Sequence, residues 1–342
     1  MAKRPKPIVG LEIEPSAVRA ASVAGGSSLA VRTQLERALE PGIVRDGEVA
    51  DVAALATVLR DLFADGKLDK RVRIGIANQK ILVRTIELPP ITDAAELAAA
   101  VRFQAADELP MPLDGAVLDH QSLGIVDTPD GPRTRVMLVA ARRDMVERVL
   151  SAARAAGLRP EGIDLAAFGM VRALSQGAPT DESVLYLGVG GLTNLAVAQG
   201  TSCHFTRVVG GGLEAFATEL AERLAIPRDE AHELVLTVGL DGARLGEDDL
   251  HDDVRRLLRE GVRRLAGEVR TTTDFHQMQD RSVAPVGRCV LTGPAAAVPG
   301  FVDALANELG LPVSVGVVAG EGEEGAGRIA TAAGLALAEA FG

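Results

Sequence analysis

One β-hairpin, written twice, constrains this chain more than any other feature. Val184-Leu-Tyr-Leu-Gly-Val-Gly-Gly-Leu-Thr-Asn-Leu-Ala-Val-Ala198 reads as two strands folded back on each other. Val184 to Val189 and Thr193 to Ala198 are runs of β-formers, and Gly188, Gly190 and Gly191 supply the bare backbone of a tight turn. The echo lies near the N-terminus. Ile8-Val-Gly-Leu-Glu-Ile13 is a strand, Glu14-Pro15-Ser16 a turn, and Ala17-Val-Arg-Ala-Ala-Ser-Val23 a second strand. Glu12 and Gly188 hold the same place before their turns, and each hairpin opens about half of the 342 residues. This predicts a duplicated fold of two similar lobes, with the hairpin tips facing each other across a cleft. Glycine turns of this kind can bring backbone N–H groups against an anion such as a phosphate, and an ordinary turn uses the same glycines.

Aromatic residues make up only 3% of the chain and Trp is absent, so two aliphatic, Ala-rich cores are expected. A formal net charge of −11 argues against non-specific nucleic-acid binding, which needs a basic footprint. Cys203 and Cys289 do not make a disulfide framework, which suits a reducing compartment. The basic start Met-Ala-Lys-Arg-Pro-Lys-Pro7 is followed by Glu12, Glu14 and Arg19 rather than by an apolar export segment. No run reaches the ~18 apolar residues of a spanning helix. The expectation is a soluble cytoplasmic protein that reaches a membrane only through a partner.

After the first hairpin, Asp51 to Phe63 has helical spacing, and Arg71 to Ala77 and Ile81 to Leu88 read as strands ended by Pro89-Pro90. From about Ile91 to Leu158 the order is helix, strand, strand, helix. Asp93 with Glu96 and Asp144 with Glu147 resemble capping boxes, and Pro110-Met-Pro112 stops the first helix. Val117 to Leu123 and Arg135 to Ala141 are strand-like. This unit interrupts the first lobe and reads as an insertion. In the second half, Gly210-Gly-Gly212 leads into a helix through Leu224, and a helical region covers Asp229 to Asp280. Arg288 to Thr292 is a strand, Pro299 to Leu309 a helix closed by Gly310, Val313 to Val318 a strand, and Ile329 to Glu339 a last helix.

Neither a Gly-x-x-x-x-Gly-Lys-Ser/Thr phosphate loop nor a Gly-x-Ser-x-Gly elbow is present. His120, His204, His232, His251 and His276 stand singly, without metal-ligand spacing, so no metal site and no catalytic residue is assigned. Arg255-Arg-Leu-Leu-Arg-Glu-Gly-Val-Arg-Arg264 reads as a solvated helix face balanced by Asp252, Asp253 and Glu260. An anionic membrane or protein surface is the alternative.

The hairpins, the Gly-Gly helix start and Leu291-Thr-Gly-Pro-Ala-Ala-Ala-Val-Pro-Gly300 stand in the order of the actin-like ATPase fold. Three stretches of the insertion are more specific: Glu108-Leu-Pro-Met-Pro-Leu-Asp-Gly-Ala-Val-Leu-Asp-His120, Val139-Ala-Ala-Arg142 and Ala156-Gly-Leu-Arg-Pro-Glu-Gly-Ile-Asp164. With Glu268-Val-Arg-Thr-Thr-Thr-Asp-Phe-His276 and Ala332-Ala-Gly-Leu-Ala-Leu337, they resemble the PilM family of type IV pilus assembly over nearly the whole chain. The resemblance implies an α/β fold of two actin-like lobes, each ribonuclease-H-like. The first spans 1–180 and carries an inserted PilM/FtsA-type subdomain at about 90–160. The second spans 181–342, with a helical subdomain at about 225–282. A division protein of the FtsA type is disfavoured, because this chain ends at Gly342 without that family's amphipathic helix.

The resemblance also implies an ATP site between the lobes, at Glu12, Ser16, Gly190, Gly191, Thr193, Gly211, Gly212 and Gly293. Other positions depart from the family pattern. Glu14 stands where the first turn has Gly, and Pro15, which has no N–H, follows it. Gly188 replaces the Asp that helps hold magnesium, and His232 and Val235 replace the Glu and Lys of the ribose and adenine side. Pro294 replaces a glycine. ATP with magnesium is therefore expected to bind weakly or not at all, and hydrolysis to be negligible, since phosphoryl transfer works by positioning and charge neutralisation. The leading expectation is a scaffold holding the cytoplasmic tail of a PilN-like membrane protein. An active Mg-ATPase that remodels the same assembly is the alternative, and a homo-oligomer is compatible with either. The family's tail groove lies between the first lobe and the insertion, which points to Leu97, Val101, Leu109 and Met111. Two uses of that apolar stripe stay open: the groove, or packing on the insertion's own sheet.

Overall fold

The structure, a computed structural model, describes residues 8–24, 29–109, 112–129, 131–241, 249–279, 283–322 and 327–337. Strands Val9–Ile13 (β1) and Ala17–Ala24 (β2) pair antiparallel, from Val9 opposite Ser22 to Ile13 opposite Val18. Ala30–Ala38 (β3) continues the meander beside β2. A small ribbon, Val44–Arg45 (β4) with Glu48–Val49 (β5), leads to helix Val52–Gly66 (α1), whose start Asp51 caps by accepting the N–H of Ala54. Arg71–Ile76 (β6) then lies parallel to β1. Every residue of β1 is buried, because the strand is central and both faces are covered.

The insertion follows as Leu82–Leu88 (β7), Ala94–Glu108 (α2), Ala116–Thr128 (β8) and Gly131–Arg142 (β9). Its three strands form a separate sheet in the order β7-β9-β8, and α2 lies across one face. Asp93 caps α2 as expected, accepting from Ala95 and Glu96 N–H at 2.9 Å each. The chain returns to the first lobe through Arg143–Ala155 (α3) and edge strand Arg159–Leu165 (β10), which completes the order β10-β6-β1-β2-β3. Helix Ala166–Leu174 (α4) then crosses to the second lobe.

That lobe repeats the topology. Ser183–Val189 (β11), Thr193–Gln199 (β12) and Ser202–Val209 (β13) form an antiparallel meander. Helices Leu213–Leu224 (α5), Arg228–Thr237 (α6) and Asp249–Gln279 (α7) follow. Val286–Thr292 (β14) pairs parallel with β11. Helix Phe301–Leu309 (α8) precedes Val313–Val315 (β15), giving the order β13-β12-β11-β14-β15. The two sheets match strand for strand, so the two hairpins occupy equivalent positions. The last helix, Ala330–Ala336 (α9), returns to the first lobe and packs beside Ala21, Val23 and Val31.

Several boundaries differ from the sequence reading. The insertion's sheet begins at Leu82 rather than near residue 90, because β7 pairs with β9 from Leu82 opposite Ala140. Helix α3 belongs to the first lobe, where Met145, Val146 and Val149 join the core of α1. Asp144 sits inside the first turn of α3 instead of capping it, since its carboxylate is drawn to the Arg142 guanidinium. The lobes also exchange their terminal helices: α4 packs on second-lobe residues Val184, Tyr186 and Ala196, and α9 on the first. Met111, and parts of the expected helical region, of the Gly/Glu-rich stretch from Gly320 to Gly327, which reads as a loop, and of the last helix, lie outside the described residues.

The exchanged helices cross at two glycines. A Cβ on Gly334 would collide with the carbonyl oxygen of Gly169. Arg172 donates to the Gly334 carbonyl oxygen at 3.0 Å and to Asp164 at 2.7 Å, fixing the crossing from one side. Gly334→Val is expected to destabilise the protein by about 3 kcal/mol or more through overpacking. A lowered midpoint in denaturant unfolding checks this.

Candidate functional site

The antiparallel register places three charged residues in a row across neighbouring strands. Glu12 of β1 stands opposite Arg19 of β2, and Arg19 stands opposite Glu36 of β3. Glu14 adds a third carboxylate from the turn. The Arg19 guanidinium lies 2.7 Å from Glu14, 3.1 Å from Glu36 and 3.6 Å from Glu12, and the residue is only 2% exposed. Burial alone would weaken its hold on the proton, but the three carboxylates outweigh that and push its pKa up. Glu12 is pushed up to about 7, first by burial and then by the charge of Glu14, against the pull of Arg19.

The two hairpin tips meet here. A Cβ on Gly190 would collide with the Glu14 carboxylate, and one on Gly191 would stand 2.8 Å from Pro15 Cδ. The space left among Glu12, Glu14, Gly188, Asn194, Thr292 and Thr331 is about 10 Å³, room for about one water molecule. Backbone donors nearby are already engaged. Gly190 N–H donates to Leu192 O, Leu213 N–H at the start of α5 to Gly190 O, and Gly293 N–H to Gly327 O. Thr193 Oγ1 donates to Gly211 O at 3.0 Å.

Outside the tips, the cleft opens to about 910 Å³ between the lobes, lined among others by Ser16, Gly191, Gly211, Glu214, Arg228 and His232. Arg228 pairs with Glu214 at 2.5 Å, and His232 lies 3.9 Å from the same carboxylate. Val235 faces the core and is fully buried, so it presents nothing to the cleft. The structure thus separates the expected residues into two places. Glu12, Gly190 and Gly293 border the closed inner space. Ser16, Gly191 and Gly211 border the open outer cleft. Thr193 is buried beneath Gly211 and Gly212 packs against Gly190.

The expected tail-binding stripe is corrected by the structure. Leu97, Val101, Ala105 and Leu109 all join the core of the insertion, with Ile86, Val136 and Leu138. A small three-stranded sheet needs one covered face, and this stripe covers it. The outward face of α2 carries Phe103, which is 78% exposed. Between the insertion and the first lobe lies a different, polar recess of about 440 Å³, lined by Gly115, Arg142, Arg143, Asp144 and Glu147. Arg142 is held by Asp144, and Arg143 donates to the carbonyl oxygens of Asp114 and Ala116. Glu147 is exposed and has no ion-pair partner among the described residues.

The helical arginine run resolves into pairs. Arg255 contacts Asp252, Arg256 lies 2.7 Å from Asp253, Arg263 contacts Glu308 and Arg264 contacts Glu219.

Residues 10–319 match the family of type IV pilus assembly protein PilM. The chain belongs to the PilM family. A structure described as a PilM-PilN type IV pilus biogenesis complex is 27% identical, with a TM-score of 0.82 over 96% of this chain and 97% of that one. The ethanolamine utilization protein EutJ from Carboxydothermus hydrogenoformans shares the fold at 17% identity and a TM-score of 0.58, covering 100% of this chain and 92% of its own. MreB5 of Spiroplasma citri, bound to ADP, does so at 13% identity and 0.54, over 97% and 95%. The fold is therefore the two-lobed actin-like one.

That fold implies a nucleotide, and the residues of this PilM family member do not fit its phosphates. Glu14 and Pro15 stand against the glycines of the opposite turn, the carboxylates of Glu12 and Glu14 border the space, and the N–H groups of Gly190, Leu213 and Gly293 are already bonded within the protein. Gly188 offers no magnesium ligand. Among the described residues no group of three or more His, Cys, Asp or Glu side chains could hold a metal ion.

Two predictions follow from the packing. The folded chain keeps the Glu12 proton between about pH 4.5 and 7, where the unfolded chain has released it. Its contribution is complete below that window and is lost as the pH rises through 7, on the order of 3 kcal/mol. Glu12→Gln is expected to flatten this part of the stability–pH profile and to melt above the parent at pH 8, read by thermal denaturation. Val101→Glu should bury an unpaired carboxylate and unfold the insertion, at several kcal/mol. Limited proteolysis would show cleavage within 82–142.

Proposed function

We propose that this PilM family member is a cytoplasmic adaptor of a type IV pilus assembly platform. In this reading it grips the cytoplasmic tail of a PilN-like membrane protein, is held at the inner membrane by that partner, and runs no nucleotide cycle. The observation that carries the reading is the likeness, along 96% of the chain, to a PilM caught in a PilN complex. Two further facts support it. No helix among the described residues is long and apolar enough to cross a membrane, which is compatible with contact through a partner. The closed hairpin tips favour a scaffold over the active Mg-ATPase.

The recess between insertion and first lobe is the proposed tail site. Cytoplasmic segments beside a spanning helix are enriched in Lys and Arg. Arg142 and Arg143 are occupied by Asp144 and by backbone carbonyls, which leaves Glu147 to meet such a cation. The net charge of −11 likewise favours a basic peptide over nucleic acid.

Calorimetric titration of a synthetic PilN-type tail into the purified protein tests this. Binding is expected without nucleotide and with the same affinity when MgATP is present. Glu147→Arg is expected to weaken it about tenfold, near 1.4 kcal/mol, with an unchanged melting temperature. Failure of the tail to bind overturns the adaptor reading, and binding only with MgATP restores the ATPase reading.

A further inference from the structure

We propose that the turn Glu14-Pro15 is a built-in plug that stands where a nucleotide's phosphates would lie and fixes the lobes in one degree of closure. Three independent observations converge on it. The first is shape: Glu14 and Pro15, from the first lobe, lie directly against Gly190 and Gly191 of the second, which tolerate them only because they lack side chains. The second is charge. Arg19 is sequestered by Glu14, Glu12 and Glu36, so this buried cation is committed to the protein's own carboxylates, and only the half-buried Arg328 remains among the described cations lining the inner space. The third is hydrogen bonding: the N–H groups of Gly190, Leu213 and Gly293 are spent on internal carbonyls.

A phosphate would have to displace a buried carboxylate from its arginine and break backbone hydrogen bonds to gain their donors. A carboxylate already held in place, with its partner on the adjacent strand, loses no translational freedom and competes at a high effective concentration. Closure of the cleft then becomes a property of the chain instead of a response to ligand. A ligand shifts a conformational equilibrium only through different affinity for the two states, and a filled site offers none. The inference does not depend on the tail-binding reading, since no residue lining the recess at Glu147 borders the inner space or the cleft.

The test is a distance across the cleft. Arg45 and Glu222 are exposed and line its two lips. Cys203 and Cys289 are buried, with thiols pushed up to about 12, and will not take label. Spin labels on Arg45→Cys and Glu222→Cys then report the lobes alone. In the parent, one narrow distance is expected, unchanged by millimolar MgADP or MgATP. In Glu14→Gly with Pro15→Ser the distribution should broaden to longer distances. Glu14→Ala, which keeps Pro15, is the milder variant should the double change fail to fold, and should broaden likewise. A parent distance that moves with nucleotide overturns the proposal, as does an unbroadened distribution in whichever variant folds. Loss of tail binding in calorimetry would leave both of these outcomes untouched.

Discussion

The buried Arg19 guanidinium, shared among three carboxylates, is the interaction on which the centre of this molecule depends. Removing such a cation from water is expensive, and its partners must repay that with close geometry. Here the sheet itself supplies the geometry. Adjacent strands put Glu12, Arg19 and Glu36 side by side, and the turn brings Glu14 to the closest approach. Three acids on one base leave an excess of negative charge, and protonation of Glu12 near neutrality relieves part of it. The cluster therefore makes the first hairpin tip rigid and anionic at the point where an actin-like protein would otherwise receive an anion.

Much of this was legible in the sequence, for physical reasons that can be named. The apolar strands β1, β11, β12 and β14 are buried, so their composition announces them. The edge strands β3, β10 and β13 were missed. Ala30–Ala38 carries Arg, Gln and Glu among its apolar residues because it is half solvated. Arg159–Leu165 contains Pro160 and Gly162, which only an edge strand with a bulge tolerates. The turn residues Glu14 and Pro15 are legible as departures from a glycine turn, and the structure sets them against Gly190 and Gly191. Arg19 enters the sequence reading only as a charge that breaks an export segment, with no role assigned at the turn. A lone arginine in an apolar strand, equidistant with Glu12 from the hairpin turn, was the available signal.

The insertion shows where periodicity stops being informative. Leu97, Val101 and Ala105 form a stripe whether the stripe faces a sheet or a peptide, and the same spacing serves both. What decides is supply: the small sheet has no other helix to cover Ile86, Val136 and Leu138. A helix that covers a sheet face with its one apolar stripe has no second stripe to spare. The arginines of α7 teach the complementary lesson. Asp252 and Asp253 pair with Arg255 and Arg256 within the helix, as the sequence suggests, and the neighbouring helices add Glu308 and Glu219 for Arg263 and Arg264.

The exchange of α4 and α9 between the lobes has a consequence for how the chain is made. The face of the first sheet that carries Gly10 and Ala21 is closed largely by α9, from residues 330–336. A ribosome delivers those residues after both sheets. The first lobe, though synthesised before the second, therefore waits with part of an apolar face uncovered until α9 has emerged. Its partner lobe already holds α4 by then. Lobes that look like two beads on a string in the order of the sequence must mature together, and a chain released early would present that bare sheet to chaperones or to other copies of itself.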